Sequence, residues 1–181
     1  MKKYIYYILL LYLFVSLSTN ANTLTDSTKI HVLEYPSSLP DLLKQFKGKV
    51  VYIDVMASWC KSYIVELQAS KSLNSFFEKN NVIKLYITID QKTDVDKCLT
   101  LLNKYNAKGN FISYLPPNED VISTFPSDIE RLFLKNDKGQ FDISIPKYAI
   151  IDKNGNIVVK RAERPSNKEA LIEQLEGWIN K

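Results

Sequence analysis

Two continuous apolar, β-branched runs constrain this chain most: VVYIDVM at residues 50–56 and NVIKLYITID at residues 81–90. Neither alternates apolar with polar, as a strand with one wet face would. Each therefore predicts a strand buried on both sides. The stretch between them, from Cys60 to Lys79, reads as one long helix. Strand, helix and strand make a parallel β-α-β unit, which needs helices to cover its sheet.

The flanking segments extend this layout. IHVLEY (30–35) predicts a short strand, and SLPDLLKQFKGK (38–49) a short helix with Pro40 in its first turn and Gly48 at its end. TDVDKCLTLLNKYN (93–106) predicts a helix capped by a threonine or aspartate. NFISYL (110–115) reads as extended, and residues 117–136 as a helix broken by Pro126. PKYAIIDKNGNIVVKR (146–161) predicts a hairpin turning at Asn-Gly, and residues 166–180 an amphipathic helix. The parallel first half and the antiparallel second half predict an α/β domain with a central mixed β-sheet flanked by helices.

Residues 1–21 have the pattern of a secretory signal: Lys2 and Lys3, an apolar run from Ile5 to Leu17, and small residues at Thr19 and Ala21. Left uncleaved, the segment would be a membrane anchor. No cysteine precedes Cys60, which argues against a lipid-modified N-terminus. Residues 22–29 read as a flexible lead-in, and residues 30–181 as one domain. Loss of the two lysines leaves 22 basic against 20 acidic residues, or +2. That balance is too small for a nucleic-acid footprint. The expected location is the periplasm or the exterior, an oxidising setting. Two cysteines in so long a chain do not make a disulfide framework.

Cys60 follows the first buried strand directly, with Trp59 before it and a helical pattern after it. Amides at a helix N-terminus carry partial positive charge and favour a thiolate, the form that attacks disulfides. The plainer reading is a small residue buried at a helix start. Lys61 adds positive charge nearby or is simply solvated. Tyr63 stands one helical turn on. Its phenol can donate to a sulfur or to Asp54, or it can merely fill space. Asp54 interrupts an apolar run, so it needs a partner, either a catalytic one or nearby backbone. Cys98 falls on the apolar face formed by Val95, Leu99, Leu102 and Tyr105, which predicts a buried, inert thiol. One histidine and no thiol cluster argue against a metal site. No residue pattern calls for a cofactor.

GKVVYIDVMASWCKSY and FDISIPKYAIIDKNGNIVVKRAERPS together resemble the thioredoxin superfamily, in particular exported TlpA-type thiol–disulfide reductases, over about residues 38–180. The resemblance implies a thioredoxin-like fold with a short N-terminal extension. It implies Cys60 as the nucleophile, Asp54 as the buried acid, and Ile145-Pro146 as a cis-proline facing the sulfur. It further implies that an extended client strand pairs beside Pro146. The departure is Tyr63, which stands where the family pattern Cys-x-x-Cys has its second sulfur.

Two functions remain open at this level. One is monothiol reductase or isomerase chemistry on client thiols or disulfides, with a small thiol or an envelope reductase as electron donor. The other is a non-catalytic module that grips extended peptide.

Overall fold

The computed structural model describes residues 29–136 and 138–181. The expected signal segment, residues 1–21, and the expected lead-in up to residue 28 lie outside the described residues. In chain order the elements are β1 (Ile30–Val32), α1 (Leu39–Lys44), β2 (Val51–Met56), α2 (Tyr63–Lys71), α3 (Asn74–Lys79), β3 (Ile83–Thr88) and α4 (Val95–Lys104). They continue with β4 (Gly109–Ser113), α5 (Phe125–Ile129), β5 (Lys147–Ile151), β6 (Ile157–Val159) and α6 (Lys168–Ile179). The strands form one six-stranded sheet ordered β1-β4-β3-β2-β5-β6. The pairs from β1 through β2 are parallel, and β2–β5 and β5–β6 are antiparallel.

Every residue of β2 is buried, because β2 lies inside the sheet with helices on both faces. Its alternation divides the core. Val51, Ile53 and Val55 join Leu85, Ile87, Ala149 and Ile151 beneath α1 and α5. Tyr52 packs with Tyr148, Ile150, Leu171 and Leu175 beneath α3 and α6. Met56 packs with Tyr63, Tyr86, Cys98 and Leu102 beneath α2 and α4. Asp54 is the polar residue on this second face of β2, in register with Tyr86. At Gly109, the start of β4, a Cβ would stand 2.7 Å from the Lys84 carbonyl oxygen at a φ of +138°. Only glycine fits that approach.

Several expected elements differ. The long helix starts at Tyr63 rather than Cys60 and is interrupted after Lys71. There the Ser72 hydroxyl donates back to the Ala69 carbonyl at 2.8 Å and competes with the helical ladder. Asp94 stands at the α4 N-cap but makes no capping bond, because its carboxylate is engaged by Lys97 at 2.7 Å. Pro126 does not break a helix. It occupies the first turn of α5, where no amide proton is needed, and a π-type turn at Glu130–Leu134 follows. Residues 33–35 leave the first strand. The hairpin turn is as expected, with Gly155 at φ +89° and its amide donating to Asp152 O at 3.1 Å.

Candidate functional site: a single thiol at the end of the central strand

β2 ends at Met56, and residues 57–62 descend into α2 through tight turns. Cys60 N–H donates to Ala57 O, and Tyr63 N–H to Cys60 O, both at 3.1 Å. The loop is fixed from below by Asp90, which is fully buried just beyond β3. Its carboxylate accepts from the Ser58 amide at 2.8 Å, the Ser58 hydroxyl at 2.8 Å and the Thr88 hydroxyl at 2.6 Å. This anchor draws the chain into turns and delays the helix to Tyr63. Ser62, at the N-cap, makes no capping bond; its hydroxyl lies 3.2 Å from Cys60 Sγ instead.

Cys60 is 9% exposed, while Trp59 beside it is 54% exposed. The Cys60 thiol donates to the Ile145 carbonyl at 3.3 Å, and the Ile145–Pro146 peptide is cis. The fold thus brings Cys60, Ile145 and Pro146 together across more than eighty residues of chain.

Tyr63 is fully buried, and its hydroxyl donates to Asp54 Oδ2 at 3.0 Å. Of the two partners open to the phenol, the structure selects the carboxyl. The other oxygen, Asp54 Oδ1, has no partner among the described residues. A second charge lies in the same layer: Lys84, in β3, is buried and donates to Ser70 Oγ, with its ammonium 4.7 Å from the Tyr86 ring centre. Burial pushes the Asp54 carboxyl up to about 7, against the opposing pull of Lys84 and the Tyr63 hydrogen bond. Burial pushes the Lys84 ammonium down, and Asp54 opposes that. Charging either group inside the sheet is costly, and each is the other's partial remedy.

The linkage has a definite sign. Folded Asp54 keeps a proton that the unfolded chain releases near its ordinary value of 3.8. Its contribution to stability is complete below that value and is lost as pH rises through about 7. Lys84 has the opposite slope, from about 8 up to its ordinary 10.5. Urea unfolding of the wild type and Asp54→Asn should therefore differ by a term that falls from about pH 4 to pH 7. Parallel profiles for the two proteins would remove Asp54 as its source.

Cys98 is fully buried, its thiol directed at Met56 Sδ at 3.0 Å, and burial is the main cause that pushes its pKa up to about 12. Both cysteines are free, although they belong to the same apolar cluster. In the native protein at neutral pH, iodoacetamide should label Cys60 and leave Cys98 until unfolding. A Cys98 rate equal to that of Cys60 would contradict this assignment.

Sequence reasoning missed Asp90, Ser58, Ser62 and Lys84. Lys84 had a signal: a lone charge inside an apolar run, opposite Tyr52 in the neighbouring strand and two register positions from Asp54.

No protein-family model matches the sequence, and no curated protein matches it significantly. Solved structures do. A candidate thiol–disulfide oxidoreductase from Bacteroides vulgatus, solved in solution, aligns with a TM-score of 0.55 at 22% identity, over 75% of this chain and 78% of that one. The fold is thioredoxin-like. A crystal structure of a candidate thiol–disulfide oxidoreductase from the same organism aligns at 0.52 and 28% identity, over 73% and 82% of the two chains. A candidate thiol:disulfide interchange protein DsbE from Chlorobium tepidum aligns at 0.55 and 20%, over 76% and 84%.

Proposed function

We propose that this protein is an exported thiol–disulfide oxidoreductase that works through Cys60 alone. The observation that carries this reading is the position of Cys60 Sγ. It lies 3.3 Å from the Ile145 carbonyl, where the β2 loop meets Pro146, while the place of a second sulfur is filled by Tyr63, whose hydroxyl is committed to Asp54.

Cys60 releases its proton to solvent, and its sulfur attacks one sulfur of a client disulfide. The client S–S bond breaks as the Cys60–client bond forms, and the departing client sulfur takes up a proton. Once Cys60 has lost its proton, the Ser62 hydroxyl can turn to donate to the sulfur. Tyr63 cannot resolve the intermediate, because a phenol supplies no sulfur. A thiolate from elsewhere must attack the mixed disulfide and expel Cys60. If it belongs to the client, the net change is isomerisation. If two small thiols or an envelope reductase supply the electrons, the client is reduced and the donor is oxidised to its disulfide. Thiol-bearing proteins are the expected partners, and residues 1–21 the expected export signal.

The test is capture in the native envelope. Disulfide-linked partners should be found on Cys60 and should disappear in Cys60→Ser. The purified protein should reduce a reporter protein disulfide only when a small thiol is added. Equal capture by Cys60→Ser, or rapid reduction without any added thiol, would end the monothiol reading.

A further inference from the structure

A groove of about 420 Å³ includes Pro146, the residue after Ile145, whose carbonyl accepts from the Cys60 thiol. One wall is the segment Asp142–Tyr148 and the other is Lys160–Arg164, and the two are tied by the Ala162 amide donating to Tyr148 O at 3.0 Å. Its lining is strongly basic: Lys135, Lys147, Lys160, Arg161 and Arg164 against Asp142 and Glu163.

Most of these charges are already engaged. Lys147 donates to Phe133 O and Asp142 O, both at 2.7 Å, and to the Asp142 carboxylate at 3.0 Å. Lys135 faces Glu130 at 3.8 Å, and Arg164 faces Glu66 at 3.6 Å. Glu163 accepts from the Asn167 amide at 2.8 Å. Lys160 and Arg161 are exposed, and no acidic group pairs with either among the described residues. The fold thus leaves two uncompensated cations on the groove that includes Pro146. Apolar surface is also exposed on residues flanking the thiol and its partner: Trp59, adjacent to Cys60, and Ile143, two residues before Ile145, at 57% exposure. Cations on a groove that includes Pro146, together with exposed apolar side chains flanking the thiol in the chain, suit a protein segment better than a small anion.

We infer that the client segment docking beside Cys60 is acidic, with Asp or Glu side chains near its reactive cysteine that pair with Lys160 and Arg161. This rests on the proposed function and names its substrate class. Uncompensated cations on a docking groove raise the encounter rate of acidic clients and lower that of basic ones.

The test uses two peptides, each with one cysteine held as a mixed disulfide with mercaptoethanol. One is flanked by Asp and Glu, the other by Lys and Arg. The rate of peptide transfer to Cys60 is read by mass spectrometry and divided by the rate of the same peptide with free mercaptoethanol. At low ionic strength the acidic peptide should react at least about tenfold faster. The gap should close in about 0.5 M salt, where screening is short-ranged. Lys160→Glu with Arg161→Glu should invert the preference, and the milder Lys160→Gln with Arg161→Gln should narrow it. Uncharged bis(2-hydroxyethyl) disulfide reports on Cys60 alone and should react equally with all variants. Equal normalised peptide rates beside a normal rate with the uncharged disulfide would overturn the inference and leave the proposed function standing. No reaction of Cys60 with the uncharged disulfide would overturn both.

Discussion

Tyr63→Cys should turn the site into a working dithiol. Position 63 opens α2, and its amide donates to Cys60 O at 3.1 Å, so a thiol there stands across one turn from the Cys60 sulfur. The variant should form a disulfide between positions 60 and 63 on mild oxidation. Reduced, it should cleave a reporter protein disulfide with no added small thiol, at least about tenfold faster than wild type, because an intramolecular thiol has a high effective concentration. Asp54, freed from the phenol, would face a resolving thiol whose proton it can accept. The substitution has a structural cost. Tyr63 is fully buried, and truncating a buried aromatic to alanine costs on the order of 3–5 kcal/mol. Folding must be verified first, by circular dichroism and urea titration. A folded variant that never closes the disulfide would refute the geometry. One that closes it and still reduces nothing would show that client docking is missing.

The second large effect concerns Asp90. Its carboxylate takes three protons in hydrogen bonds, two from Ser58 and one from Thr88, in a fully buried position. In Asp90→Ala those donors lose their acceptor. A buried donor left without a partner costs about 1–3 kcal/mol. Ser58 is only partly buried, so water recovers some of this, and a net loss of about 2–4 kcal/mol is expected. For a domain of this size that lowers Tm by about 5–15 °C. The loop that carries Cys60 should also lose its fixed distance to Ile145. Exchange with a protein client should then fall further than exchange with a small disulfide, which needs no docking. Asp90→Asn retains one acceptor oxygen and should recover part of both losses. An Asp90→Ala protein with wild-type Tm and wild-type client exchange would show that the network does not hold the loop.

The sheet was legible because its information is local. VVYIDVM and the following apolar run can only be interior strands, and KNGN can only be a turn. Cys98 was legible from helical spacing alone. Cys60 was legible as a residue, but its surroundings were not. The strand-to-helix junction suggested a helix beginning at the cysteine, whereas the start is set by a contact from Ser58 to Asp90, thirty-two residues away. Asp90 in the sequence ends an apolar run and is indistinguishable from an ordinary solvated strand end. Pro126 was misread for a related reason. Proline breaks a helix interior and suits a first turn equally well, and only the position of the helix decides between them.

The two unpaired cysteines set a limit on what the molecule can keep. A dithiol enzyme stores two electrons and has a midpoint that belongs to the protein itself. Here one sulfur is enclosed with Met56 and the other has a phenol one turn away. Cys60 can be free or joined to something else, and the ratio between those states follows the thiols and disulfides around it. On the monothiol reading the protein has no internal disulfide in which to hold an electron pair between encounters. On that reading it would equilibrate its clients with whatever pool surrounds them, and the direction of transfer would be written in that pool.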